Sequence, residues 1–474
     1  MQPSPRPVPR PADNRPPPPP PRAQRDALHP AVRIAYDVAG TVTRAAVAVA
    51  PEFDSKFFTG LRSRRGILDR YRSWASTSRD SARPMLWIHA PSVGEGLQAQ
   101  PVIQRFRHRH PEVQIAYTFF SPSAARFAST VGADFADYLP FDTAQNAAEI
   151  LDALNPTALV FSKLDIWPVL AETAAARGTR LGILSATIPS SSLRRSAIGR
   201  MALTEAYAAI DAVGAIAPGD AERLIEMGVR PDRITITGDT RYDQVWSRAN
   251  APVKARAELV ERFRDPRPTL VAGSTWPSDE ERLLPAWLNV RRALPAARLI
   301  IAPHELSVAH LASIEEWAAA SSLTVSRTSE PAARATEVVV VDEYGILGDL
   351  YAVADAAFVG GGFHRAGLHS LLEPAAFGAP VLMGPMHGDN RDAGLLVGGG
   401  GAMRCHGSGD IAARLNVWFR NTEVLKRARA CARRVVETNV GAAERSVEIV
   451  ESLVLGSPSS PASPDGAMNS GGLP

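Results

Sequence analysis

Short apolar runs alternate with helical stretches twice along this chain, and that double alternation limits its fold more than any other feature. The first series is Met85–Ala90, Val113–Phe119, Asp137–Pro140, Ala158–Phe161, Arg180–Leu184, Ala212–Ile216 and Ile234–Thr237. The second is Thr269–Ala272, Arg298–Ala302, Glu337–Val341, Ala356–Val359 and Val381–Met383. Strands covered by helices on both faces read as continuous apolar runs, and a parallel sheet needs a crossover helix between them. The pattern predicts an α/β chain of two Rossmann-like doubly wound domains facing across a cleft, with ligand held outside the carboxyl ends of the strands. The expected boundaries are a first domain at 29–245, a charged, irregular linker at 246–268 and a second domain at 269–455. A Pro-rich arm at 1–28, with six prolines in a row at Pro16–Pro21, and a Ser/Pro/Gly-rich tail at 456–474 are expected to be disordered.

The candidate polar groups gather where strands end. Ser92 and Glu95 follow the first strand, while Lys163, Asp165 and Trp167 follow Ala158–Phe161. Arg241 closes Gly238-Asp239-Thr240-Arg241 at the exit of the first series. In the second series Ser274, His304 and the turn Gly345-Ile346-Leu347 take the same kind of position. Gly360, Gly361 and Gly362 follow the strand Ala356–Val359, where the backbone must come close to something. Ser370 then reads as a helix N-cap with Glu373 as its capping-box partner. A glycine loop before a helix N-terminus suits an anion, and a carboxylate at Glu373 suits two ribose hydroxyls. The alternative is an ordinary crossover with a tight turn. Both readings stand on the sequence alone.

The 474-residue chain has a net charge of only +3, so its electrostatics do not argue for nucleic acid. Two cysteines, Cys405 and Cys431, suggest a reducing compartment. No secretory pattern and no long uncharged apolar run are evident. Ile34, Val38, Val42, Ala45 and Val49 form one helical stripe, with Phe57, Phe58 and Leu61 after it and Lys56, Arg62, Arg64, Arg65, Arg70 and Arg72 nearby. That combination suits a helix on an anionic membrane surface, or one docked on its own domain. His364, His369 and His387 match no zinc spacing, and no Asp-x-Asp occurs.

Seven motifs occur in fixed order: HAPSVGE at His89–Glu95, FSPSAARF at Phe120–Phe127, YLPFD at Tyr138–Asp142, DIWP at Asp165–Pro168, GDTRYD at Gly238–Asp243, AGSTWPSDEE at Ala272–Glu281 and GGGFHRAGLHSLLEP at Gly360–Pro374. Together they resemble the 3-deoxy-D-manno-octulosonic acid (Kdo) transferases of lipid A synthesis. The resemblance runs from about Phe57 to Val450. It implies the GT-B fold, an acceptor-binding first domain and a CMP-sugar-binding second one. It further implies an inverting transfer of Kdo from CMP-Kdo to lipid IVA, with no metal or cofactor. The partners implied are the lipid A precursor, the CMP-sugar and the cytoplasmic face of the bacterial inner membrane, the enzyme being a monomer that binds no nucleic acid.

Residue by residue, Glu95 matches the family's general base. A helix N-terminus lowers a carboxyl pKa and partial burial raises it, so its strength as a base is left open. Ser274, His304, His369, Ser370, Gly361 and Gly362 suit the donor phosphate, Glu373 the ribose, and Gly345, Ile346 and Leu347 the cytosine. Ser92, Lys163, Asp165 and Arg241 are expected at the acceptor or transition state. Many members have Arg-His at His304-Glu305, a glutamate at Lys163, and GGHN at Gly367–Ser370. A sugar-nucleotide epimerase on the same fold is the alternative enzyme class. A non-catalytic lipid-binding relative is a third reading, against which the retained Glu95 argues.

Overall fold

The computed structural model describes residues 56–190, 192–251, 254–365, 367–388 and 390–456. The Pro-rich arm, the stripe at Ile34–Val49, the side chains of Lys56 and Phe57 and the tail beyond Gly456 lie outside the described residues. The chain divides into two compact units, 1–238 with 443–474, and 239–442.

The first unit carries a parallel sheet of seven strands: β1 (Met85–His89), β2 (Gln114–Phe119), β3 (Phe135–Tyr138), β4 (Ala158–Ser162), β5 (Arg180–Ala186), β6 (Ala212–Ala215) and β7 (Ile234–Ile236). Their order is β3-β2-β1-β4-β5-β6-β7, so β1 pairs with both β2 and β4 and the winding direction reverses beside it. Trp87, Phe106, Tyr117 and Phe161 are fully buried on this sheet.

The second unit repeats the plan with β8 (Thr269–Thr275), β9 (Arg298–Pro303), β10 (Val325–Arg327), β11 (Val338–Val340), β12 (Ala356–Val359), β13 (Val381–Met383) and β14 (Ala402–Arg404). The order β10-β11-β9-β8-β12-β13-β14 puts its reversal between β8 and β12. The switch points predict where each unit keeps its site.

Two expectations change. The segment 246–268 is no irregular linker, because helices Thr240–Asn250 and Lys254–Phe263 run through it and bury Val245 and Phe263 in the second unit. The second domain does not continue to 455. Helix Ala442–Leu455 returns to the first unit, where Val447, Val450 and Leu453 join the core and Glu451 bonds His110 at 2.8 Å. The arginines that follow the stripe are mostly used inside the first unit. Arg64 is buried, stacks 4.1 Å over Phe120 and donates to the carbonyls of Gly60, Phe120 and Leu139. Burial pulls its pKa down to about 10. Arg70 pairs with Asp137 at 2.7 Å, and Arg72 with Asp69 and Glu149. Among the described residues no helix is long and apolar enough to cross a membrane.

Candidate active site

In the first unit the strand ends flanking the switch point converge on one carboxylate. Ser92 caps helix Val93–Arg109, its hydroxyl accepting from the Gly94 amide at 3.2 Å. Glu95 stands in the first turn of that helix and accepts from the Ser92 hydroxyl. Its other oxygen meets the Lys163 ammonium at 3.2 Å, and its backbone carbonyl takes a hydrogen bond from Ser162 at the end of β4. Lys163 sits in the left-handed region (φ 70), costly for a side chain with a Cβ, and its amide is held by Leu184 at 2.7 Å. Burial raises the Glu95 pKa, but the Ser92 hydroxyl and the Lys163 charge outweigh it, so the carboxyl lies below its ordinary value. A resting carboxylate, 17% exposed beside one ammonium, is equipped to accept a proton.

Buried, hydrogen-bonded groups form the floor of this site. His89, fully buried, accepts from Trp167 through Nε2 at 3.0 Å, and its Nδ1 lies 3.0 Å from the Thr118 hydroxyl. Burial drives its pKa down to about 3, so the ring is neutral and Nδ1 carries the proton. Asp142 accepts from the amides of Val169 and Leu170 and so anchors helix Pro168–Ala176. Burial raises it to about 7 despite those donors. Asp165 is paired with Arg194 at 2.6 Å.

In the second unit Ser274 also takes a left-handed conformation (φ 53) at a break in the β8–β9 register. The glycine loop after β12 folds directly onto it. A Cβ on Gly360 would stand 2.1 Å from the Ser274 carbonyl oxygen, and one on Gly361 (φ 89) 2.1 Å from that of Gly367. What these glycines approach is therefore the chain itself. Their amides are also engaged, Gly360 with the Gly273 carbonyl at 2.9 Å and Gly361 with Asp279 at 2.8 Å. Around them stand stacked rings. Trp276 lies 4.4 Å from His304 and 4.5 Å from His364, His304 stacks on His369 at 4.6 Å, and the indole N–H donates to His369 Nε2. Burial and the neighbouring His304 lower the His369 pKa.

Three expectations change in the second unit. Ser370 is exposed and caps no helix. The next helix is only Leu372–Ala376, begins after Leu371 and has no side-chain cap, because the preceding backbone turns back to bond Gly360 through the His369 amide. Glu373 is consequently no capping partner. It is largely buried, and burial raises its pKa against the attraction of Arg248. Arg241 belongs to the second unit rather than the first and is bonded to Asp239 at 2.7 Å and Asp392 at 3.0 Å. Gly345 has φ 93, with its carbonyl accepting from Arg248, and Ile346 and Leu347 lie half-buried behind it.

Residues 60–244 match the family model described as 3-Deoxy-D-manno-octulosonic-acid transferase (kdotransferase). A 3-deoxy-D-manno-octulosonic acid transferase of Bordetella pertussis is 30% identical over 348 residues, 70% of this chain and 78% of that one. The chain belongs to the Kdo transferase family. Proteins of the same name from Chlamydophila psittaci (29% over 309 residues, 64% of this chain and 70% of that one) and Haemophilus influenzae (26% over 329 residues, 68% and 75%) agree. Among solved structures, the UDP-GlcNAc 2-epimerase of Neisseria meningitidis superposes with a TM-score of 0.58 at 13% identity, covering 77% of this chain and 99% of that one. The epimerase of Methanocaldococcus jannaschii gives 0.51 at 13%, with 75% and 99% covered. At such identities the likeness shows the shared GT-B type of fold, two parallel-sheet α/β units, and nothing about the substrate.

This transferase is thus a glycosyltransferase of lipopolysaccharide synthesis. Sequence reasoning about its site passed over Asp279, His89 and Asp142. Each stood inside a recognised motif, and an acidic residue three positions into a helix was a visible signal at Asp279. Two of the three amides that donate to Asp279 lie 82 and 84 residues further on, beyond any local pattern.

Proposed function

We propose that this transferase moves Kdo from CMP-Kdo to the lipid A precursor lipid IVA, with inversion, using Glu95 as the general base. The acceptor hydroxyl oxygen attacks the anomeric carbon of Kdo as its proton passes to the Glu95 carboxylate. The bond from that carbon to the CMP phosphate breaks, and its electron pair leaves with the phosphate. CMP is already a good leaving group, so the step asks for hydrogen-bond donors and positive charge rather than a metal or cofactor. The observation that carries the reading is Glu95 itself, an ionised, partly exposed carboxylate beside the switch point with Ser92 and Lys163 as its partners.

On the donor side, Ser274, His304, His369, Ser370 and the Gly361–Gly362 loop would meet phosphate, Glu373 the ribose and Gly345–Leu347 the base. Lys163, Ser92, Asp165 and Arg241 would serve the acceptor and the developing charge. The enzyme would work as a monomer at the cytoplasmic face of the inner membrane. The test is transfer from CMP-Kdo to tetra-acylated lipid A precursor, with the anomeric configuration of the product read by NMR, beside Glu95→Ala. Inverted product and a loss of about 100-fold or more in the variant support the reading. Equal rates in both remove Glu95 as the base, and retained configuration removes the single displacement.

A further inference from the structure

We propose that Asp279 is a positioning residue for the donor loop, fixing Gly360–Phe363 against the strand end that carries Ser274. The inference rests on the reading of that loop as the nucleotide side of the transferase. Asp279 is the third residue of helix Pro277–Ala293 and has no exposed surface. One carboxylate oxygen accepts from the Trp276 amide at 3.0 Å and the Gly361 amide at 2.8 Å, and the other accepts from the Phe363 amide at 3.1 Å. A single side chain therefore joins the turn after β8 to the loop after β12, the two segments that flank the switch point. It also sets the Trp276 backbone, on whose indole His304 and His364 stack and from which His369 takes a hydrogen bond.

Capping a helix needs only the Trp276 amide. The other two bonds reach a loop with no part in that helix, and they hold it where Gly361 must stand at φ 89 against Gly367. A carboxylate is required because three N–H donors converge on two oxygens. An asparagine presents one oxygen and one NH2 group, so a donor faces a donor whichever way it turns. With the loop released, its ordering falls on the binding of the donor, and affinity on that side alone declines.

The test uses the full chain and compares wild type with Asp279→Asn. CMP affinity is read by calorimetry, and KM is measured separately for CMP-Kdo and for the lipid acceptor. The expected result is a rise of at least about tenfold in CMP Kd and donor KM. Acceptor KM stays within about twofold, a split that general destabilisation does not produce. Unchanged CMP affinity and donor KM in a folded Asp279→Asn overturn the proposal. If wild type neither binds CMP nor transfers Kdo, the reading of the site fails first and takes the proposal with it. Where Asp279→Asn is not recovered folded, hydrogen exchange on ligand-free wild type decides. Protected amides at Gly361 and Phe363 support the clamp, and exchange at the rate of an open loop overturns it.

Discussion

Glu95 and Asp279 occupy the same place in their two units. Each stands three residues after the N-cap of the first helix of its sheet, at Ser92 and Trp276, just beyond a central strand. Their surroundings differ in kind. Glu95 is partly exposed and faces a hydroxyl and an ammonium, groups on side chains that can turn away. Asp279 is buried and faces three amides that the backbone fixes in place. A carboxylate held by mobile partners can exchange them for a substrate proton, whereas one held by amides becomes scaffold. Position on the helix sets which residue type is used, and the partners decide what it does.

The sharpest way to break this contrast is Glu95→Gln. It keeps a hydrogen-bonding group beside Ser92 but cannot take a proton, so Kdo transfer should fall about 100-fold or more. Unfolding free energy should change by less than about 1 kcal/mol, read by urea denaturation. Asp279→Ala should show the opposite bias in stability. Three backbone donors, one buried and two partly buried, lose their acceptor, at a cost of about 3 kcal/mol or more in the same experiment. If both variants lose stability equally, the distinction between exchangeable and fixed partners is wrong.

Lys163→Met sharpens the chemistry on the Glu95 side. The Ser92 hydroxyl and this ammonium together hold the carboxyl below its ordinary value, so removing the ammonium raises the Glu95 pKa. The base is the ionised form, and the acidic limb of the pH–rate profile should move to higher pH. Rates well above both values should lose only what Lys163 gives the substrate. An unmoved limb would mean that Lys163 does not tune this group. Smallest of all, Ser370→Ala should shift stability by no more than about 0.5 kcal/mol, because the exposed serine caps no helix. A cost nearer the roughly 1 kcal/mol of a lost N-cap would restore the role read from the sequence.

Legibility followed local composition. All seven strands of the first sheet and five of the second were visible as short strand-like runs, the exposed edge strand β7 among them. The two missed, β10 (Val325–Arg327) and β14 (Ala402–Arg404), lie at the sheet's edges and each ends in arginine, so neither shows a continuous apolar stretch. The capping signature at Ser370 and Glu373 was present in the letters yet absent from the fold, because Gly360 claims the neighbouring backbone. Glu95 was legible because its motif is local. The same motif said nothing of Lys163 as its partner, 68 residues away.

What the sequence determined by itself was the α/β class, the two repeated sheets, the family and the strand ends where polar residues gather. All of these follow from periodicity and short motifs, which local sterics and burial fix. Only the tertiary structure decided that helix Ala442–Leu455 returns to the first unit, that Arg241 is shared by two aspartates in the second, and that Asp279 joins two loops. Except for the Arg241–Asp239 pair, two residues apart, those outcomes depend on which charges and amides find each other across long stretches of chain, as Arg241 does with Asp392 and Asp279 with Gly361. No short window of residues contains that information, because each such bond is set by the packing of a whole sheet.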